Sequence, residues 1–189
     1  MLITSIDLEL NQPTRSIISI GYVIAHARTK QVKVAKNLIV NPNEMVDPFI
    51  TGLTGLTQND INNGIPLIEA YNQMVKDINH HQVNKHPIQW GLDHNELKDQ
   101  VMLGWNEFVF RRRGHDIKSL YQLYQTSSSN GKTTAGLRKA MGQLNIDWDF
   151  AHGPPHNSLA DAYNTLLIFW KITDKFKRND QIEKIFSNS

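Results

Sequence analysis

Asp7 and Glu9 sit in the stretch SIDLELNQP, Ser5 to Pro13. Read as a strand, that stretch puts Ile6, Leu8 and Leu10 on one face and both acids on the other. Two like charges then stand roughly 7 Å apart, the span of two strand residues. Surface strands carry such alternation without consequence. If the face is turned inward, burying either charge uncompensated costs several kcal/mol, and a cluster of oxygens relieved by divalent cations resolves the conflict. Two further acids qualify. Asp93 follows the strand-like HPIQWGL, and the end of a strand in an α/β sheet commonly opens onto a site. It could equally be the N-cap of the next helix, with Glu96 completing a capping-box pattern. Asp161 lies in the first turns of a helix among Leu159, Ala160 and Ala162, so its carboxylate is expected to face protein. Five residues earlier, His156 follows Gly153-Pro154-Pro155, a segment that must be a loop. Its imidazole can reach an acid on the helix it leads into, or it is a surface histidine.

The elements around these residues follow from periodicity. After the first strand and a turn at NQPTR, SIISIGYVIAHA reads as a second strand, and TKQVKVAKNLIV as a third lying near an edge. Short turns between them predict a three-stranded antiparallel meander. NPNEMVDPFITGLTGLTQND reads as irregular, and a helix is expected from about Pro66 to Ile78. HPIQWGLD should be a short strand. Helical patterns follow through ELKDQVMLGWNEFVFRRR and IKSLYQLYQ, then a polar loop at SSSNGKTT. TTAGLRKAMGQLNI is a further helix with Thr133 or Thr134 as cap. The next helix has Leu159, Ala162, Tyr163, Leu166, Leu167 and Trp170 on its apolar side, and TDKFKRNDQIEKIFSNS should add one more. Strands first, then a strand with alternating helices, predict an α/β fold with a mixed sheet.

Composition sets the outer bounds. The 189 residues are 40% hydrophobic and 20% charged, an ordinary globular balance, and they suit one domain spanning 1–189. A formal charge of +2 and a pI of 8.8 only mildly favour anionic partners. With no cysteine, disulfides, zinc-thiolate sites and thiol nucleophiles are excluded, so any metal must be held by oxygen or imidazole. No run approaches the ~18 apolar residues of a membrane span, and no signal-like N-terminus is visible. No membrane association and a cytoplasmic location are the default expectations.

Taken together, Asp7-x-Glu9, a distant Asp93, and His156 with four residues before Asp161 resemble the three motifs of the DEDDh 3′-to-5′ exonucleases. LTGLTQNDI at Leu53 to Ile61 is similar to that family's TG-containing loop, and HNSLADAYNT to its entry from His to Asp. The resemblance runs from Ile3 to about Trp170. It implies an RNase H-like fold: a mixed central sheet with an antiparallel three-stranded start and helices on both faces. It further implies that Asp7, Glu9, Asp93 and Asp161 hold two Mg²⁺ or Mn²⁺ ions about 4 Å apart. One would activate a water and the other would stabilise the leaving 3′ oxygen. His156 would take the proton from that water, a task suited to imidazole, and the product would be a nucleoside 5′-monophosphate. Leu10 and Leu53 match positions that contact the terminal nucleotide in similar enzymes, and each also has a plain core reading. Trp90, just before the site, is a candidate to stack on substrate.

Two departures stand out. Many relatives carry Thr, Ser or a small residue where this chain has Leu10. Relatives also often place one more residue between the tryptophan and aspartate of the second motif than Trp90 and Asp93 allow, which brings in Glu96 and Asp99 as rival acids. SSSNGKTT ends like a P-loop but has Thr126 where Gly is required. Arg111-Arg112-Arg113 reads as a solvated helix end favoured by the dipole, or else as a phosphate contact. The expected substrate is the 3′ end of single-stranded RNA or DNA. RNA or short oligonucleotides are favoured, because the TG loop and HDIKSLYQLYQ look most like the Eri-type branch and no polymerase-binding segment is evident. A DNA proofreading or repair exonuclease is the alternative, and a non-cleaving nucleic-acid adaptor on the same fold is the alternative of another class.

Overall fold

The structure is a computed structural model describing residues 1–128 and 135–177. Strand β1 (Leu2–Leu10) pairs antiparallel with β2 (Ile17–His26), which pairs antiparallel with the edge strand β3 (Val32–Ile39). The expected meander is therefore present. On its other side β1 runs parallel to a two-residue strand, β4 (Ile88–Gln89), and β4 runs parallel to β5 (His115–Asp116), giving the order β3-β2-β1-β4-β5. β5 was not foreseen, and β4 is shorter than HPIQWGLD suggested.

Nine of the ten β2 residues are buried, and each fully buried Ile or Val there contributes roughly 1.5–3 kcal/mol. The alternation of β1 and β2 divides the core in two. Ile3, Val23 and Ala25 pack on α5 (Ile117–Ser128), α6 (Leu137–Gln143) and α7 (Ser158–Lys177). Ile6, Leu8, Ile20, Tyr22 and Ile24 pack on α3 (Leu67–His80) and on Leu97 of α4 (Asp93–Gln100). The sheet thus carries helices on both faces, as expected. α3 is also tied down by polar contacts: the Tyr22 hydroxyl donates to Asp77 (2.6 Å), and Lys36 bridges the same carboxylate (2.7 Å).

One contact sets the height of α7. Gly21 pairs with Asp7 in the register, and a Cβ there would lie 2.0 Å from the Ser158 carbonyl carbon. Only glycine lets the start of α7 settle directly on β2. The Ser158 hydroxyl then sits 2.6 Å from that of Ser19 and donates to Asn37 (2.9 Å).

Several local expectations are corrected. The supposedly irregular segment 41–60 contains α1 (Pro48–Thr54) and α2 (Gln58–Asn62). Asp47 caps the first, with Pro48 in its opening turn and Gly55 at φ 77 closing it, and Thr57 and Asp60 form a full capping box for the second. The helix expected through Arg113 stops at Gln100, because Met102 turns to φ 56. Phe108, Val109 and Phe110 are buried without being helical. Arg111–Arg113 therefore form no helix end. They lead into the start of β5, at the opposite end of the sheet from Asp7 and Glu9. α6 begins at Leu137 with Gly136 as cap, not at Thr133 or Thr134, and those two lie outside the described residues. So does most of the SSSNGKTT loop, whose first two serines belong to α5. α7 continues to Lys177 without a break, and the rest of the expected terminal helix lies outside the described residues. Among the described residues, no helix is long and apolar enough to cross a membrane.

Candidate active site

Asp7 and Glu9 occupy the sheet face that α7 covers, and α7 brings Asp161 over them. Oxygen atoms of Asp7, Glu9 and Asp161 lie within 4.8 Å of one another. Asp93 starts α4 immediately beyond β4. The N-cap of α4 is Leu92 and Asp93 is the first helical residue, which removes the capping reading, and the buried Oδ2 of Asp93 has no hydrogen-bond partner. The rival acids are engaged elsewhere. Glu96 accepts from Arg15 and Gln100, both at 2.8 Å, and Asp99 bridges Lys98.

All four carboxylates keep some exposed surface yet are lodged deep between sheet and helices. Their acidities show the strain of that position. Burial first, then Asp93, Asp161 and Glu9, holds Asp7 well above the usual carboxylate range. Burial, with Asp161 and Asp93 behind it, pushes Glu9 up to about 8. Asp93 is pushed up to about 7 by burial and then by Asp116, Asp161 and Glu96. Asp161 reaches about 7 through burial, restrained by a backbone N–H from His156. Hard carboxylate oxygens, mutual repulsion and one orphaned buried oxygen together fit a divalent cation.

These shifts carry a pH prediction. A carboxyl whose pKa is higher folded than unfolded holds its proton more tightly in the folded state. Folding is then penalised as pH rises past the unfolded value of about 4. The penalty grows until the folded values near 7 and 8 are passed. In EDTA, the melting temperature should fall between pH 5 and 8.5, and Mn²⁺ should recover most of the loss at the upper end. A metal-free melting temperature that stays level or rises over this window contradicts the cluster's electrostatics.

His156 enters through the loop before α7. The Trp148 indole donates to the Gly153 carbonyl (3.1 Å), and Asn164 of α7 holds Asp149 from both its backbone N–H and its carbonyl. His156 itself has φ 63, and its N–H donates to Asp161 Oδ1 (3.3 Å). The backbone, not the ring, touches Asp161, and the residue is exposed, so the imidazole can turn to a substrate.

Beside His156 and Asp161 lies a cavity of about 350 Å³ that Trp90, Trp148, Lys118, Arg138 and Lys139 also line. Trp90 thus lines the same cavity as His156 and Asp161. Trp148 and the three cations were missed. None of these cations makes an ion pair among the described residues, and they stand on α5 and α6 where no sequence motif marked them. Leu10 packs half-buried on the α3 side of the sheet, and Leu53 is 38% exposed on α1. Neither lines this cavity.

With that geometry in place, similarity to known proteins can be weighed. No family model matches the chain. Human ERI1 exoribonuclease 2 is 24% identical over 183 residues, covering 84% of this chain and 25% of that protein. The mouse protein of the same name is 23% identical over 181 residues. The chain spans about a quarter of the length of these relatives. The nuclease domain of 3′hExo, a DEDDh family member bound to rAMP, superposes with a TM-score of 0.75 at 18% identity over 92% of both chains. The chain shares the fold of that nuclease domain. A 3′-exonuclease described as recognising the 3′ end of a histone mRNA stem-loop gives a TM-score of 0.77 at 18% identity, over 92% of this chain and 64% of that one. The RNase H-like architecture and the Eri-type resemblance read from the sequence are thereby borne out.

Proposed function

We propose that residues 1–189 form one exonuclease domain that hydrolyses single-stranded nucleic acid from its 3′ end with two Mg²⁺ or Mn²⁺ ions, releasing nucleoside 5′-monophosphates. The observation that carries this reading is the convergence of Asp7, Glu9 and Asp161 within 4.8 Å, beside a cavity lined by His156, two tryptophans and three cations that make no ion pair among the described residues. RNA is the favoured substrate because the sequence relatives are named exoribonucleases.

Asp7, Glu9, Asp93 and Asp161 hold the cations, which when bound supply Lewis-acid activation of water and neutralise charge on the phosphate. His156 accepts the proton of the attacking water. Trp90 and Trp148 offer faces for base stacking, which reads no sequence. Lys118, Arg138 and Lys139 meet the backbone phosphates, while Leu10 and Leu53 remain candidate contacts to the last nucleotide.

Replacing the three cations by glutamine should weaken oligonucleotide binding and lower the slope of log K against log salt by about 2, at ~0.7 per phosphate contact on a single strand. Fluorescence anisotropy across a salt series measures it, and an unchanged slope places the strand elsewhere.

Polarity is tested with matched RNA and DNA oligonucleotides labelled at either end. The proposal expects 3′ label to leave first as a nucleoside 5′-monophosphate while 5′ label shortens stepwise, faster for RNA. Faster DNA decay turns the reading toward a proofreading or repair enzyme. Binding that is unchanged by EDTA, with neither sugar cleaved when Mg²⁺ or Mn²⁺ is supplied, identifies a non-cleaving adaptor.

A further inference from the structure

Asp116, the last residue of β5, lies outside the acid cluster and has its own set of donors. Its Oδ1 accepts the Gly91 N–H (3.1 Å) and the Lys118 N–H (2.9 Å), and its Oδ2 accepts the Ser119 hydroxyl (2.5 Å). With three donors on two oxygens, this carboxylate is occupied. The Gly91 contact reaches across from β5 to the turn 90–92, which carries the chain from β4 into Asp93. That turn needs holding. Gly91 is at φ 128, a conformation side chains rarely adopt, and Leu92 beside it is 62% exposed. On its far side the turn is gripped by Gln89, whose Oε1 accepts the His94 N–H (2.9 Å) and whose Nε2 lies 2.7 Å from the buried His94 ring. On its near side the grip is Asp116.

We infer that Asp116 is a positioning residue: it fixes the Gly91 turn so that Asp93, whose buried Oδ2 has no hydrogen-bond partner, is held in place at the start of α4 for the proposed metal site. The same carboxylate caps α5, which carries Lys118 into the substrate cavity, so one side chain sets both the second-motif acid and a cation of the strand path. The short spacing between Trp90 and Asp93 makes this support necessary. The turn has no interior of its own to pack, and its conformation is imposed from β5. This inference rests on the proposed metal site. What it adds is that the support Asp116 gives the turn comes from hydrogen-bond acceptance.

Asparagine separates the two. In Asp116→Asn, Oδ1 still accepts from Gly91 and Lys118, and the new amide can donate to Ser119. Asp116→Ala loses all three. Mn²⁺ affinity, read by isothermal titration without any substrate, should fall about 10–100-fold in Asp116→Ala, the usual cost of removing support behind a metal ligand. It should stay within about threefold of wild type in Asp116→Asn, a range too small to matter beside that cost. Ser119→Ala, which touches only the cap of α5, should shift the melting temperature and leave Mn²⁺ affinity alone. Gly91→Ala gives a second route should Asp116→Ala fold poorly. A Cβ at Gly91 meets nothing within 4 Å, so only the turn is strained, and Mn²⁺ affinity should fall as in Asp116→Ala.

Wild-type Mn²⁺ affinity in Asp116→Ala or Gly91→Ala overturns the positioning role. Asp116→Asn as impaired as Asp116→Ala also overturns it, in favour of a role for the charge. A wild-type protein that binds no Mn²⁺ overturns the metal-site reading itself, whatever the variants do.

Discussion

Asp7→Asn will abolish turnover and, in the same protein, raise the melting temperature of the metal-free form. The two effects have one cause. Asp7 is the acid most heavily surrounded by protein and by like charge: burial, Asp93, Asp161 and Glu9 all oppose its ionisation. Asparagine keeps the shape and removes the charge, so the repulsion is relieved and the desolvation cost of a carboxylate disappears. Each kcal/mol recovered is worth about 2–4 °C in a domain of this size. Catalysis moves the other way, because the amide is a poor ligand where the cluster needs negative charge. Several kcal/mol of transition-state stabilisation depend on the cations held there, so the rate should fall by about 10³-fold or more, equivalent to about 4 kcal/mol. Paired measurements of kcat with Mg²⁺ and of melting in EDTA decide it. A variant that is both inactive and less stable when metal-free would mean that Asp7 is a structural acid, not a strained ligand.

His156→Ala should lower kcat about 10²–10⁴-fold, the range for losing a general base, while Mn²⁺ affinity and oligonucleotide binding hold. The hydrogen bond from residue 156 to Asp161 comes from the backbone and survives the substitution, and among the described residues no hydrogen bond involves the His156 ring. The positive φ at this position adds a complication. Alanine in the left-handed region costs about 1–2 kcal/mol, whereas asparagine visits it readily. His156→Asn therefore serves as the companion variant. It should match the kinetic defect of His156→Ala without the strain, and titration calorimetry should find its metal affinity unchanged. Weaker metal binding in His156→Asn would contradict the proton-transfer role.

The fold and site were legible in the sequence to different depths. β1 and β3 alternate, β2 is a continuous apolar run rich in Ile and Val, and short turns join them, so their pairing could be read directly. The acids were legible because Asp7 and Glu9 break an apolar strand. Segment 41–60 misled because its prolines and glycines look like loop residues, while Asp47, Gly55 and Thr57 use them as helix starts and stops. The stretch after Gln100 misled because Val101, Trp105 and Phe108 keep a helix-like spacing although they reach the core from an irregular chain. Arg111–Arg113 drew attention as a run. The cations that face the site, Lys118, Arg138 and Lys139, come from two helices far apart in sequence and form no motif. Trp148 and Asp116 were invisible for the same reason, since their roles arise only when β5, α6 and the loop before α7 meet around Asp93 and Asp161.

The central claim is that the carboxylate cluster drives removal of nucleotides from a 3′ end, and its most direct test is decay of a 5′-labelled single-stranded RNA, alongside the matched DNA, by wild type and Asp7→Asn. A ladder shortening by one nucleotide at a time, dependent on Mg²⁺ or Mn²⁺ and absent with Asp7→Asn, is the predicted result. Substrates of both sugars left intact by the wild type, or a ladder that persists in Asp7→Asn, would contradict it.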